Sequence, residues 1–96
     1  MAYDYLLVGG GLHNSVMARE LTDRGFKCLV IDRRSKIGGN CADYEENGIH
    51  ISTYGGHWLH TNNKPIWDYV NKYTEFFPYS LHAKSKVRGM CRGLYL

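Results

Sequence analysis

Three glycines in a row, Gly9-Gly10-Gly11, follow the apolar run Leu6-Leu7-Val8 and lead at once into a segment with helical spacing. A strand that ends in glycine can turn tightly and bring bare backbone close to an anion. It then hands the chain to a helix whose first N–H groups and positive dipole end face that anion. Gly9 suits the tight bend and Gly11 the close approach. The position that commonly holds a third glycine, where helix meets strand, is Asn14. Asparagine tolerates unusual backbone angles but still occupies space, so a slightly displaced helix or a weakened site is expected. His13 stands beside it on the first helical turn and joins the candidate binding set. Asp32 lies about twenty residues beyond the glycines, where a carboxylate accepts hydrogen bonds from ribose hydroxyls. Taken singly, each feature has a plainer reading: a glycine-rich turn with no ligand, a solvated charge at a strand end. In register, they point to a dinucleotide.

The next segment bears on which dinucleotide. Asp32-Arg33-Arg34-Ser35-Lys36-Ile37-Gly38-Gly39-Asn40 puts a Gly-Gly pair just past the acid. Glycines there let a second loop bring its backbone close to the adenosine and diphosphate. Arg33 and Arg34 are candidates to pair with phosphate or cover the adenine; the alternative for each is solvated surface. The pattern resembles the flavin amine oxidase and glutathione reductase-like FAD proteins, in which an acid is followed shortly by Gly-Gly. Three further blocks are Gly48-Ile49, Tyr54-Gly55-Gly56-His57-Trp58-Leu59-His60-Thr61-Asn62 and Ile66-Trp67-Asp68-Tyr69-Val70-Asn71. In order and spacing they resemble the N-terminal, FAD-binding part of the UDP-galactopyranose mutase family, from Tyr3 to about Phe76. Asn14, Asp32 in place of Glu, Ser52 in place of His, and Leu59 in place of an aromatic residue depart from the family's pattern.

The resemblance implies FAD as cofactor, in its reduced form for activity, and interconversion of UDP-galactopyranose and UDP-galactofuranose by the full-length parent. It implies that His57 lies against the flavin and exchanges protons as the catalytic residue, the alternative being a structural histidine. Asn40 and Trp58 match positions that touch FAD in the family. The expected cofactor-binding set is therefore Gly9, Gly11, His13, Asn14, Asp32, Arg33, Gly39, Asn40, His57 and Trp58. His57 and His60 are close in sequence but lack an evident third ligand, so no metal is expected. Two other readings stand beside the mutase: another FAD-dependent oxidoreductase of the amine-oxidase type, and a non-catalytic truncated nucleotide-binding fragment.

These residues need a scaffold. Leu6-Leu7-Val8 reads as a buried strand, and Leu12 to Arg24 as a helix with Leu12, Val16, Met17 and Leu21 on one side. Gly25 suits the position just past that helix, where positive φ is needed. Lys27 to Asp32 reads as a second buried strand, parallel to the first with a right-handed crossover. The expected fold class is α/β, a Rossmann-like, glutathione reductase-type parallel sheet in three layers with flanking helices, present as an incomplete domain. Ser35 to Asn47 reads as a loop, Gly48 to Tyr54 as a short strand. A second helix is expected near Pro65 with Asn63 as its cap. Ala83–Val87 and 93–96 are expected to pair as a hairpin turning near Gly89.

Composition sets the outer limits. The 96 residues, 44% hydrophobic, suffice for one small domain with a modest interior. A net charge of +3, spread along the chain, does not argue for nucleic acid. Tyr5–Val8 is too short for a membrane span and has no basic segment before it. Cys28, Cys41 and Cys91 form no CxxC pair, so reduced thiols in a cytoplasmic protein are expected. A homo-oligomer is compatible with the sequence. The apolar ending Gly93-Leu94-Tyr95-Leu96 leads us to expect a segment of a longer polypeptide.

Overall fold

The computed structural model describes residues 2–94, which fall into two units, Met1–Leu59 and His60–Leu96. In the first unit, Tyr5–Val8 forms strand β1, Leu12–Asp23 helix α1 and Cys28–Ile31 strand β2. β1 and β2 pair in parallel, with Leu6 opposite Leu29 and Val8 opposite Ile31, and α1 lies against both. The far end of the unit is fastened at Asp4. Its N–H donates to Lys27 O at 2.8 Å and its carboxylate accepts from Lys27 N at 2.7 Å. Tyr5 and Phe26 meet edge to face beside it, at 5.3 Å between ring centres.

The helix ends where the sequence provides for it. Gly25 takes φ +89°, its N–H donates to Thr22 O, and Phe26 N–H donates to Leu21 O. These two reversed bonds form a Schellman motif, which needs positive φ at the glycine. Arg24, expected as the last helical residue, serves instead as the C-cap.

The loop expected over Ser35–Asn47 proves to be structured. Gly39–Cys41 forms a single 3-10 turn, and strand β3, Asp43–Glu46, pairs antiparallel with β4, Ile49–Ser52. Asp43-Tyr44-Glu45-Glu46 carries three acids and no apolar alternation, and its side chains are all exposed, so periodicity has nothing to report there. The informative signal is Asn47-Gly48. Both take positive φ (+52° and +77°) and close a two-residue hairpin.

In the second unit, helix α2 spans Lys64–Val70. Asn63 caps it by accepting from Ile66 N at 3.2 Å, and Pro65 sits in the first turn, as the sequence leads one to expect. Strands β5, Ala83–Val87, and β6, Met90–Leu94, pair antiparallel around Arg88-Gly89, with φ +50° and +79°. The second strand thus begins three residues earlier than the expected 93–96 segment. Tyr95 and Leu96 lie outside the described residues.

Two expectations are corrected. The described residues hold three separate two-stranded sheets, of which only β1–β2 is parallel, so the three-layer sheet does not form within them. The strands expected to be buried are open as well: Leu6 is 59% and Val8 71% exposed. One helix against a two-stranded sheet leaves most of that sheet's apolar surface uncovered. Among the described residues, no helix is long and apolar enough to cross a membrane.

Candidate dinucleotide site

Gly10 is the one buried residue among those described, and it is the middle of the glycine turn. Gly9 N–H continues the parallel ladder by donating to Ile31 O at 2.7 Å, and its φ of +104° bends the chain away from the sheet. Gly10 N–H then donates to Asp32 Oδ2 at 2.6 Å, while Gly10 O accepts from Gly38 N–H at 2.7 Å. A methyl group at Gly10 would stand 3.1 Å from Ile37 Cγ2 and 3.3 Å from Asp32 Oδ2. The turn is therefore held from both sides by the segment following β2.

Gly11 is the N-cap of α1. It has no side chain to bond the first-turn N–H groups, and no acidic residue stands in that turn. Those donors and the positive end of the helix dipole thus stay available to an anion. The second glycine pair lies on top of the first. Gly38 and Gly39 take φ +116° and +58°, and a Cβ on Gly39 would come within 2.9 Å of Gly11 Cα. The Gly-Gly pair thus has a role within the protein, letting the two turns touch. Asn40 follows in the 3-10 turn and is exposed. Asn14 takes the third-glycine position without disrupting the turn. Its side-chain amide donates to Val8 O and Gly9 O, each at 2.9 Å. His13, next to it, is exposed.

Asp32 sits where the ribose acid was expected, but both its oxygens already accept from backbone, Oδ2 from Gly10 and Oδ1 from Arg34 N–H at 2.8 Å. The Arg34 amide first, and then the Gly10 amide, hold its carboxyl below the usual carboxylate range, against a smaller opposing effect of desolvation. A carboxylate oxygen can accept more than one hydrogen bond, so the group keeps capacity for a hydroxyl while bracing the turn. A cleft of about 560 Å³, lined by Val8, Gly9, Ile31, Asp32, Arg33 and Arg34, opens at the carboxyl ends of β1 and β2. Ligands of open α/β sheets bind at that end of the strands. Beyond Arg34 a second cleft of about 390 Å³ runs past Lys36, Gly39, Tyr44 and Tyr54. Arg34 lines both clefts, and its guanidinium lies 4.3 Å from the centre of the Tyr54 ring.

The structure thus gathers Gly9, Gly11, Asn14, Asp32 and Gly39 around one turn, with Arg33 on the adjoining cleft. His57 and Trp58 follow β4 and are exposed. The Trp58 ring folds over Gly56, where a Cβ would come within 2.8 Å of it. Neither residue lines the two clefts. Among the described residues, no three His, Cys, Asp or Glu side chains converge as a metal site would require. The sequence reading missed Gly10, Ile37 and Gly38 as fastenings of the turn. The middle glycine of the triplet was the available signal for Gly10.

A parallel β-α-β unit with a glycine turn at its open end defines a nucleotide-binding Rossmann-like protein, and residues 7–73 match the family model for the NAD(P)-binding Rossmann-like domain. The chain belongs to that family. Among curated relatives, dTDP-fucopyranose mutase of Escherichia coli is 40% identical over 91 residues, 93% of this chain and 24% of its own. Probable UDP-galactopyranose mutase of Klebsiella pneumoniae is 40% identical over 86 residues, 88% of this chain and 22% of its own. Pseudooxynicotine dehydrogenase of Pseudomonas sp is 34% identical over 85 residues, 88% of this chain and 16% of its own. The chain spans about a quarter of the length of the mutases it matches.

Proposed function

We propose that this chain is the FAD-binding segment of a nucleotide-sugar mutase of glutathione reductase-like fold, which interconverts UDP-galactopyranose and UDP-galactofuranose. The observation that carries this reading is the 40% identity to probable UDP-galactopyranose mutase through 88% of the chain. The residues present suit the ADP half of the cofactor. The helix start is uncapped by side chains, and Asp32 retains acceptor capacity. Gly9, Gly11, His13 and Asn14 would flank the diphosphate, Asp32 and Arg33 the ribose and adenine side, and Gly39 and Asn40 the second turn. His57 and Trp58 would serve the flavin, His57 as the group that holds or moves a proton there.

Reduced flavin, when bound, would supply the electron-rich ring chemistry that such an isomerisation draws on. The chain's own contribution is to fix that cofactor by its diphosphate and to present an imidazole that can hold or pass a proton. The likeness to dTDP-fucopyranose mutase keeps a second sugar nucleotide in view, and the likeness to a dehydrogenase keeps hydride transfer in view.

The test is to express the full polypeptide carrying this segment, record its flavin spectrum, reduce it, and separate pyranose from furanose sugar nucleotides by chromatography. UDP-galactopyranose and dTDP-fucopyranose are supplied in parallel. Furanose product from the UDP sugar, lost by about 10²–10⁴-fold in His57→Ala with flavin retained, is the expected result. Oxidation of an amine with no furanose formed would replace the mutase with the oxidoreductase. A colourless protein that binds no dinucleotide would leave a non-catalytic module.

A further inference from the structure

Asn14 carries two hydrogen bonds that a glycine at that position could not make. Its Nδ2 donates to Val8 O and to Gly9 O, each at 2.9 Å. Val8 is the last residue of β1 and Gly9 the first of the turn, and both line the larger cleft. A backbone carbonyl oxygen is the negative end of its peptide dipole, so two of them beside an anion site oppose the anion. Asn14 places one amide on both. It also ties the third residue of α1 to a glycine held at φ +104°, which fixes the bend by which the turn leaves the sheet.

We propose that Asn14 is a positioning residue of the phosphate turn: its side-chain amide masks the Val8 and Gly9 carbonyl oxygens and holds the Gly9 bend, so that the turn accepts a nucleotide diphosphate. The proposal rests on the dinucleotide reading above and concerns how this chain achieves it. A third glycine gives a turn close packing of helix on strand. Asn14 gives the same junction a direct bond and removes two acceptors from the path of the phosphates.

The probe is ADP, with adenosine as the ligand that lacks phosphate, each titrated calorimetrically into the full polypeptide freed of nucleotide. Asn14→Ala should weaken ADP about tenfold, the equivalent of one net hydrogen bond of about 1.4 kcal/mol, and leave adenosine within about twofold. An unchanged ADP affinity overturns the proposal, and so does an equal fall for both ligands, which would mark a general loss of structure. Where Asn14→Ala does not fold by circular dichroism, Asn14→Gly carries the test, because it frees the space while removing the amide. The same tenfold loss of ADP is expected from it, and ADP binding as tight as in the unaltered protein overturns the proposal. An unaltered protein that binds neither ADP nor adenosine refutes the dinucleotide reading itself, and the role of Asn14 falls with it.

Discussion

Gly39→Ala tests the contact between the two glycine turns. Gly39 has φ +58°, and a methyl group there would stand 2.9 Å from Gly11 Cα, a backbone atom that cannot swing aside. Two costs follow. Holding a residue with a Cβ in the left-handed region costs roughly 1–2 kcal/mol. Forcing the turns apart adds a packing cost of about 1–3 kcal/mol. Gly48→Ala isolates the first, because Gly48 has φ +77° and open space where its Cβ would be. Gly39→Ala should therefore exceed Gly48→Ala by about 1–3 kcal/mol, roughly a 5- to 150-fold difference in local opening. Hydrogen exchange read by mass spectrometry reports it in the full polypeptide, comparing peptides that span 37–41 and 46–50 across the wild type and both variants. The Gly38 amide, which donates to Gly10 O, should lose most of its protection. Equal losses in the two variants would refute the contact and leave the Gly-Gly pair as a turn like any other.

Two further outcomes follow from named bonds. Because the folded-state pKa of Asp32 is lowered, its bracing of Gly10 and Arg34 is complete above the ordinary carboxylate pKa and is lost as pH falls through the lowered value. Exchange over 9–12 should quicken in that acid window less in Asp32→Asn than in the wild type, and identical acid profiles would remove Asp32 from the turn. Asn63→Ala should weaken α2 by about 0.5–2 kcal/mol through loss of the cap on Ile66 N. Faster exchange confined to 64–70 is the sign, and an unchanged rate would show the cap to be idle.

The elements whose causes are local were legible in the chain. α1 carries its own stop in Gly25, and α2 its own start in Asn63 and Pro65. The β1–α1–β2 order fixes a parallel pair because a right-handed crossover is the geometry that packs. β3 escaped because an exposed, acid-rich strand has no apolar alternation; only its Asn-Gly turn marked it. The expected burial of β1 and β2 failed for a different reason. A run of apolar residues reports what a strand is suited to, whereas its exposure depends on what lies against it.

The sequence by itself determined that a glycine turn joins a strand to a helix start, and that an acid stands at the end of the next strand. Spacing and residue type suffice for that, since each depends on the backbone preferences of a few neighbours. Only the tertiary structure decided what those groups do to one another. It turned the Asp32 carboxylate onto Gly10, 22 residues away, laid Gly39 on Gly11, and reached Asn14 back to the end of β1. A hydrogen bond forms at about 3 Å and nowhere else, and which distant groups come that close is set by the pairing of β1 with β2 and the seat of α1 upon them.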